Sequence, residues 1–444
     1  MATTYSVVGL GKLGACMAAA IASRGFDVIG VDLRAEAVDA INAGRAPVKE
    51  PGLAELIEAN RTRLRATTSC REAVHASDVT FVVVPTPSEA GGGFSLVHAS
   101  SAFADIGLAL SDKQGYHLVV LASTVLPGSM RDRLLPVLES RSGKRCGRDF
   151  GLCYSPEFIA LGTVIRDFLH PDFTLAGEFD ARSGEQLEAC YADIVMNAAT
   201  CRRMSLENAE LTKIALNSFV TTKITFANMI AELCERIPGG DVDTVTRALG
   251  LDRRIGGAYL TGSLGYGGPC FPRDNDALAS FADSVGVDAS LPRATDRRNR
   301  QVAAGLMERL GIQVGPSTTV AVLGIAYKPG TTVIEESQSV HLAKALRAAG
   351  ARVLAHDPMA DADTARQLDG IAQLETLQNC LKEADVVVVA TADPAYRTLD
   401  AAAFVTQDRP MIVVDCWRLL AGKLDGCAQV RYVPLGRGLT TPGA

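Results

Sequence analysis

A thiol held in a stiff, glycine-rich turn with an acid close behind it is a candidate nucleophile, and residues 265–274 read Gly-Tyr-Gly-Gly-Pro-Cys-Phe-Pro-Arg-Asp. Glycines let backbone amides approach a ligand, and prolines stiffen the loop on either side. Asp274 lies close enough to Cys270 in sequence to share its pocket. A thiol framed this way suits covalent catalysis; the competing reading is a small buried hydrophobe in a tight turn. Lys213 and Asn217 stand at i and i+4, so on a helix both can point at a single oxygen. The plainer alternative is a solvated lysine beside a polar neighbour. Glu157 sits at the tip of a predicted strand, Gly151–Tyr154. That place recommends it as a base, although surface glutamates are abundant.

The amino end offers an electron acceptor that such a nucleophile could work beside. Residues 5–11 form an apolar strand entering a turn, and Gly9-Leu10-Gly11-Lys12-Leu13-Gly14 opens an alanine-rich helix. Gly9 makes the turn, Gly11 admits a pyrophosphate, and Gly14 lets the helix sit on the strand with its amino end facing the phosphates. A second strand, Asp27–Val31, ends at Asp32, where a carboxylate can bond both ribose hydroxyls of NAD and repel the 2′-phosphate of NADP. The competing reading is a flavodoxin-like turn without a dinucleotide. Two further strands, Asp78–Val84 and His117–Leu121, run into hydroxyl-bearing turns at Thr86 and Thr124. Both threonines are candidate nicotinamide or ribose contacts, or ordinary turn formers.

These groups must be held by more than one domain. At 444 residues, the chain is too long for one ordinary core. It divides into a nucleotide-binding domain over 1–200, a central helical domain over 201–314 and a second sheet domain over 315–444. A helical stretch is expected to end near Arg65. Residues 201–237 contain neither glycine nor proline and carry apolar residues at helical spacing. They predict one helix of about 35 residues, roughly 50 Å long. So long a helix bridges domains or subunits, and the expectation is a homodimer through it. Another helix is expected from Leu291 to about Val314. Beyond Gly315-Pro316-Ser317, strands at 318–323, 352–357, 385–391 and 411–415 alternate with helices and predict a second open parallel sheet. The fold class is α/β, with two doubly wound sheets joined by a long helix. The second sheet lacks the glycine triplet and is expected to bind something other than a second NAD.

Composition excludes other classes. Hydrophobic residues make up 48% and charged residues 21%, with a net charge of −6 and a mean hydropathy of +0.15. No apolar run reaches membrane-span length, and dispersed basic residues give no footprint for nucleic acid. The first residues show no basic leader, so a cytoplasmic location is expected. Eleven cysteines without Cys-x-x-Cys pairs suit a reducing compartment, and no His/Cys cluster has zinc spacing, so no metal is expected.

In order along the chain, Gly9–Gly14, Glu50-Pro51-Gly52-Leu53, Ser155-Pro156-Glu157-Phe158, Ala209–Asn228, Arg254-Ile255-Gly256, Gly265–Asp274 and Leu323–Gly330 resemble the UDP-glucose/GDP-mannose dehydrogenase family over residues 5 to 420. The central helix reads closer to the UDP-glucose branch than to the N-acetylhexosamine branch. The resemblance implies four-electron, NAD-dependent oxidation of the C6 alcohol of a nucleotide sugar, most simply UDP-glucose to UDP-glucuronate for polysaccharide biosynthesis. It assigns Cys270 as nucleophile, Asp274 and Lys213 to proton transfer through water, Asn217 and Lys213 to the oxyanion, and Glu157 to hydrolysis of a thioester. Thr124 would help to hold the water. Phe158, Tyr259, Ser263 and Gly267 fall at sugar-nucleotide positions, and Arg254 at one reaching a partner subunit's site. Arg273 and Lys328 fall at basic positions near cofactor and substrate phosphates.

The chain departs from the family pattern at Leu161, where an acid is usual, and at Glu335, where an arginine is usual; both touch cofactor or domain contacts. Oxidation of GDP-mannose, a UDP-N-acetylhexosamine or a nonstandard nucleotide sugar is the alternative within the family. A non-catalytic sugar-nucleotide sensor and a two-electron hydroxyacid dehydrogenase are the alternatives outside this activity.

Overall fold

The computed structural model describes residues 3–405 and 410–438. Two compact units emerge: one runs to Leu216 and includes Ser280–Gly286, and the other holds Asn217–Ala279 and continues from Val287. The first unit is built on an eight-stranded sheet. Its strands are β1 (Tyr5–Val8), β2 (Val28–Val31), β3 (Leu64–Thr67), β4 (Val79–Val82), β5 (Leu118–Leu121), β6 (Gly151–Tyr154), β7 (Phe173–Glu178) and β8 (Thr200–Ser205). Their order is β3-β2-β1-β4-β5-β6-β7-β8. Short apolar runs such as Leu-Val-Val-Leu in β5 are buried throughout, as parallel strands covered on both faces must be. Alternate residues feed two cores: Val7, Phe81, Leu118 and Val120 on one face, Val8, Val82, Val119 and Leu121 on the other. Strand order reverses direction between β1 and β4, which opens a crevice at their carboxyl ends.

The second unit repeats this plan. Strands β9 (Thr319–Leu323), β10 (Arg352–His356), β11 (Gln373–Leu374), β12 (Val386–Val389), β13 (Met411–Asp415) and β14 (Val430–Pro434) lie in the order β11-β10-β9-β12-β13-β14. Every pairing in it is parallel.

Four expectations change. The first sheet is not wholly parallel, because β7 returns antiparallel to β6 through the pairs Cys153↔Glu178 and Tyr154↔Gly177. Residues 200–205 form the edge strand β8, in register with β7, so the long helix spans Leu206–Glu235 and not 201–237. Edge pairing overrides a segment whose composition is neutral between helix and strand. Ser205 Oγ accepts from Asn208 N at 3.3 Å and marks the true start. The helix expected to reach Arg65 stops at Ala59, where Asn60 caps it with Nδ2 on the Leu56 carbonyl, and β3 follows. The helix from Ser290 breaks at Gly305, and a short helix, Leu306–Arg309, takes the place of the stretch predicted to Val314. No helix among the described residues is long and apolar enough to cross a membrane.

Candidate active site

In the first unit, two glycines of the opening turn have a steric reason. Gly9 has φ +98°, and a Cβ there would collide with the Val83 carbonyl; one on Gly14 would collide with the Gly9 carbonyl. Gly11 is different: it caps the helix Lys12–Ser23, and nothing lies within 4 Å of a Cβ built on it. That open helix amino end, preceded by buried Leu10 and opened by half-buried Lys12 and Leu13, fits a pyrophosphate. Asp32 accepts from Leu10 N at 2.8 Å and from Arg34 Nε at 3.1 Å. Burial opposes its ionisation, but hydrogen bonds from Arg34 and Leu10 outweigh this and hold the carboxyl below its usual range. Sequence reasoning missed Arg34, whose place two residues beyond the acid was the available signal.

The loops after β4 and β5 are tied together. Ser123 Oγ accepts from Val84 N at 2.9 Å and donates to Val84 O at 2.7 Å. Buried Thr86 donates to the Thr124 carbonyl at 2.8 Å. The turn after Thr124 is fixed from the long helix, where buried Glu210 accepts from Gly128 N at 2.7 Å and Met130 N at 2.8 Å. Burial pushes the Glu210 carboxyl up to about 7 against those hydrogen bonds. The partners are about eighty residues apart, so no local pattern exposes this clamp.

Glu157 follows β6 in the same unit and is half-buried. Burial pushes its carboxyl up to about 7, against the opposing charge of Lys213 and a hydrogen bond from Tyr191. Lys213 Nζ donates to the Glu157 backbone carbonyl at 2.6 Å and lies 4.8 Å from the centre of the Phe158 ring. A carboxyl poised near neutrality beside a lysine and a phenol has the properties of a general base. Leu161, a few residues on, packs its side chain on the apolar core of this unit.

In the second unit, Cys270 is exposed and directly precedes the helix Phe271–Ser284. Asp274 N donates to the Cys270 carbonyl at 2.8 Å, which places the acid in the first turn of the helix that follows the cysteine. The Asp274 side chain is fully buried; it accepts from Asn217 Nδ2 at 2.6 Å and from Arg273 Nε and Nη2 at 3.1 Å. Lys213 and Asn217 therefore make different bonds, one to a backbone carbonyl and one to a carboxylate. Tyr266 anchors the loop: Asn299 bonds both its amide and its carbonyl at 2.9 Å, and Gln338 adds a bond to the carbonyl. Gly267 packs so close to the Glu336 carbonyl that a Cβ would not fit, and Gly268 N donates to the Glu335 carbonyl at 3.1 Å. The side chain at 335 is exposed, so it is this residue's backbone that meets the cysteine loop.

The remaining positions are distributed around that loop. Tyr259 is half exposed, holds φ +63° and meets Phe271 edge to face at 6.4 Å. Backbone in the left-handed region at a bulky residue stores strain and is characteristic of functional sites. Ser263 N donates to buried Asn228 at 2.8 Å. Arg254 is exposed and paired with Asp252 at 2.6 Å, and Lys328 lies over the Tyr327 ring. Asn228 and Asn299 were missed as loop anchors, because their partners lie more than thirty residues away.

Known proteins are similar to this chain over most of its length. Residues 3–195 match the NAD binding domain of the UDP-glucose/GDP-mannose dehydrogenase family. Residues 207–301 match its central domain and 321–422 its UDP binding domain. The chain is 36% identical to the UDP-glucose 6-dehydrogenase AglM of Haloferax volcanii, covering 94% of this chain and 96% of that one. It is 35% identical to the GDP-mannose 6-dehydrogenase of Azotobacter vinelandii, covering 89% and 92%. The structure of a UDP-glucose dehydrogenase from Pyrobaculum islandicum superposes with a TM-score of 0.87 at 34% identity, covering 98% of each chain.

Proposed function

Because the chain belongs to the UDP-glucose/GDP-mannose dehydrogenase family of NAD-dependent nucleotide-sugar 6-dehydrogenases, we propose that it converts UDP-glucose to UDP-glucuronate through a thioester on Cys270. The observation that carries this reading is the exposed thiol at a helix amino end, one turn ahead of a buried carboxylate held by Asn217 and Arg273. A helix amino end favours negative charge on the sulfur.

NAD held by Gly9–Gly14 and Asp32 would supply the hydride-accepting chemistry for both oxidations, one cofactor for each. The aldehyde left by the first oxidation is captured by the Cys270 thiolate as a thiohemiacetal, which prevents its escape. Lys213 and Asn217 stabilise the oxyanion, since fixed donors in a dry pocket do so far better than water. Asp274 and Lys213 return the proton through water. The second oxidation yields a thioester, and Glu157 takes a proton from the water that hydrolyses it, with Thr124 holding that water. Carboxylate leaves and the thiolate is restored. Gly9–Gly14, Asp32, Thr86 and Arg273 serve the cofactor. Phe158, Tyr259, Ser263, Gly267 and Lys328 serve the nucleotide sugar. Arg254 serves a partner subunit's site. Eleven cysteines without Cys-x-x-Cys pairs suit the reducing cytoplasm.

A panel of nucleotide sugars followed by NADH release tests the substrate. UDP-glucose is expected to give two NADH per acid formed. Faster turnover of GDP-mannose would transfer the assignment to the other branch, one NADH per product would indicate a two-electron enzyme, and none with any sugar a binding protein.

The homodimer has its own support. Phe219, Phe226, Met229 and Leu233 are 42–65% exposed and fall on one face of the long helix, an apolar stripe of the kind that self-association covers. Phe219→Asp with Phe226→Asp is expected to halve the mass measured by light scattering; an unchanged mass would remove this helix from the interface.

A further inference from the structure

At Glu157, two acceptors compete for one proton. Ser155 Oγ donates to the Leu175 carbonyl at 2.7 Å and lies 2.6 Å from Tyr191 Oη. Tyr191 Oη in turn lies 3.4 Å from Glu157 Oε1. A carbonyl only accepts, so the Ser155 proton is committed to Leu175 and Ser155 meets Tyr191 with a lone pair. The single phenol proton of Tyr191 then has two acceptors, Ser155 and the carboxylate. Ser155 and Tyr191 are both buried, at 1% and 4% exposure, so neither turns to water instead. The edge of Tyr191 packs against Phe81 with centroids 6.4 Å apart, which fixes where the hydroxyl sits.

We infer that Tyr191 is a positioning residue for Glu157, its one proton forked between Ser155 and the carboxylate, and that Ser155 sets how much of that proton the base receives. The inference rests on Glu157 being the hydrolytic base. With Glu157 protonated, Tyr191 donates to Ser155. With Glu157 ionised, the charge-assisted bond is the stronger one and draws the proton across. Tyr191 itself stays protonated, because burial, reinforced by the Glu157 charge, pushes its hydroxyl well above the usual phenol range. It orients and does not ionise. The other groups facing the pair are the Lys213 ammonium from the long helix, which favours the Glu157 carboxylate, and the Cys201 thiol from β8, which faces Tyr191.

The test is an infrared pH titration of the intact protein, following the carbonyl band of the protonated carboxyl and assigning it by its loss in Glu157→Gln. Tyr191→Phe keeps the ring and removes the donor to the carboxylate. Its midpoint is expected to rise by about one pH unit, the difference between a charged and a neutral hydrogen bond. Ser155→Ala removes the competitor, and its midpoint is expected to fall by a similar amount. Opposite shifts are the signature; a purely structural role moves neither midpoint, or both together. A midpoint unmoved or lowered in Tyr191→Phe, one raised in Ser155→Ala, or a band that survives Glu157→Gln overturns the inference. Accumulation of thioester in Glu157→Gln reads the base separately. If opposite shifts occur without that accumulation, the fork stands and the hydrolytic role falls.

Discussion

Cys270→Ser is expected to bind NAD as tightly as the parent while losing steady acid formation by on the order of 10³-fold or more, as removal of a catalytic nucleophile does. The retained half follows from where the cofactor elements lie. The nucleotide turn is built from Gly9, Gly11, Gly14 and Asp32, braced by the Val83 carbonyl, all in the first unit. The substitution also leaves the fold alone, since Cys270 is exposed and Asp274 keeps its bonds to Asn217 and Arg273. What is lost is specific to sulfur. A thiolate at a helix amino end attacks an aldehyde at neutral pH, whereas a serine hydroxyl stays protonated without an adjacent base. Calorimetric NAD binding together with chromatographic assay of the acid checks both halves. Normal turnover in this variant would sink the covalent route; lost NAD binding would show that the thiol itself contributes to holding the cofactor and would leave the lost activity without this cause.

Much of this arrangement was legible because its causes are local. Gly9 and Gly14 could be read from the sequence since no other residue fits against the Val83 and Gly9 carbonyls. The parallel strands could be read because burial on both faces demands unbroken apolar runs. The same logic misassigned residues 201–205. An edge strand with mixed burial carries no such run, and only pairing with β7 makes it a strand. β14 escaped for a related reason, since Val-Arg-Tyr-Val-Pro alternates weakly and is completed by β13.

At the site, residue types were legible and partnerships were not. Spacing placed Lys213 and Asn217 on one helical face, yet it could not reveal that one bonds the Glu157 carbonyl and the other the Asp274 carboxylate, each more than fifty residues away. Tyr191 carried no signal at all, and Glu210 only that of the family-like segment Ala209–Asn228. A glutamate in a helix reads as a surface residue, and a tyrosine in an amphipathic helix reads as core. Their functions arise only where the chain returns to Gly128 and to Ser155. Chemistry that depends on a single proton having two acceptors is a property of packing and has no counterpart in spacing.

Glu157→Gln is expected to stop the reaction one step later and to leave its trace on the protein. Glutamine cannot accept a proton from water, so thioester hydrolysis should slow by about 10²- to 10⁴-fold while the oxidations proceed. The acyl group then remains on Cys270 and is visible as added mass on the intact chain; an unmodified chain under saturating substrate and NAD would remove Glu157 from hydrolysis. The parent's hydrolytic rate should rise with pH through about 7, where the carboxyl ionises, and the variant should lose that limb. Stability gives an independent check with a definite sign. The folded carboxyl titrates at about 7 and the unfolded one near its ordinary value, so between them only the unfolded state ionises and the parent loses stability as pH rises. Below the unfolded value both states are protonated and nothing is lost. Glutamine does not titrate, so relative to parent the variant should gain stability as pH rises from below the unfolded carboxyl's range to about 8, and the gain should level off above about 7. A stability difference independent of pH would mean that the folded protein does not shift this carboxyl, and with it would go the reason for a base poised at neutrality.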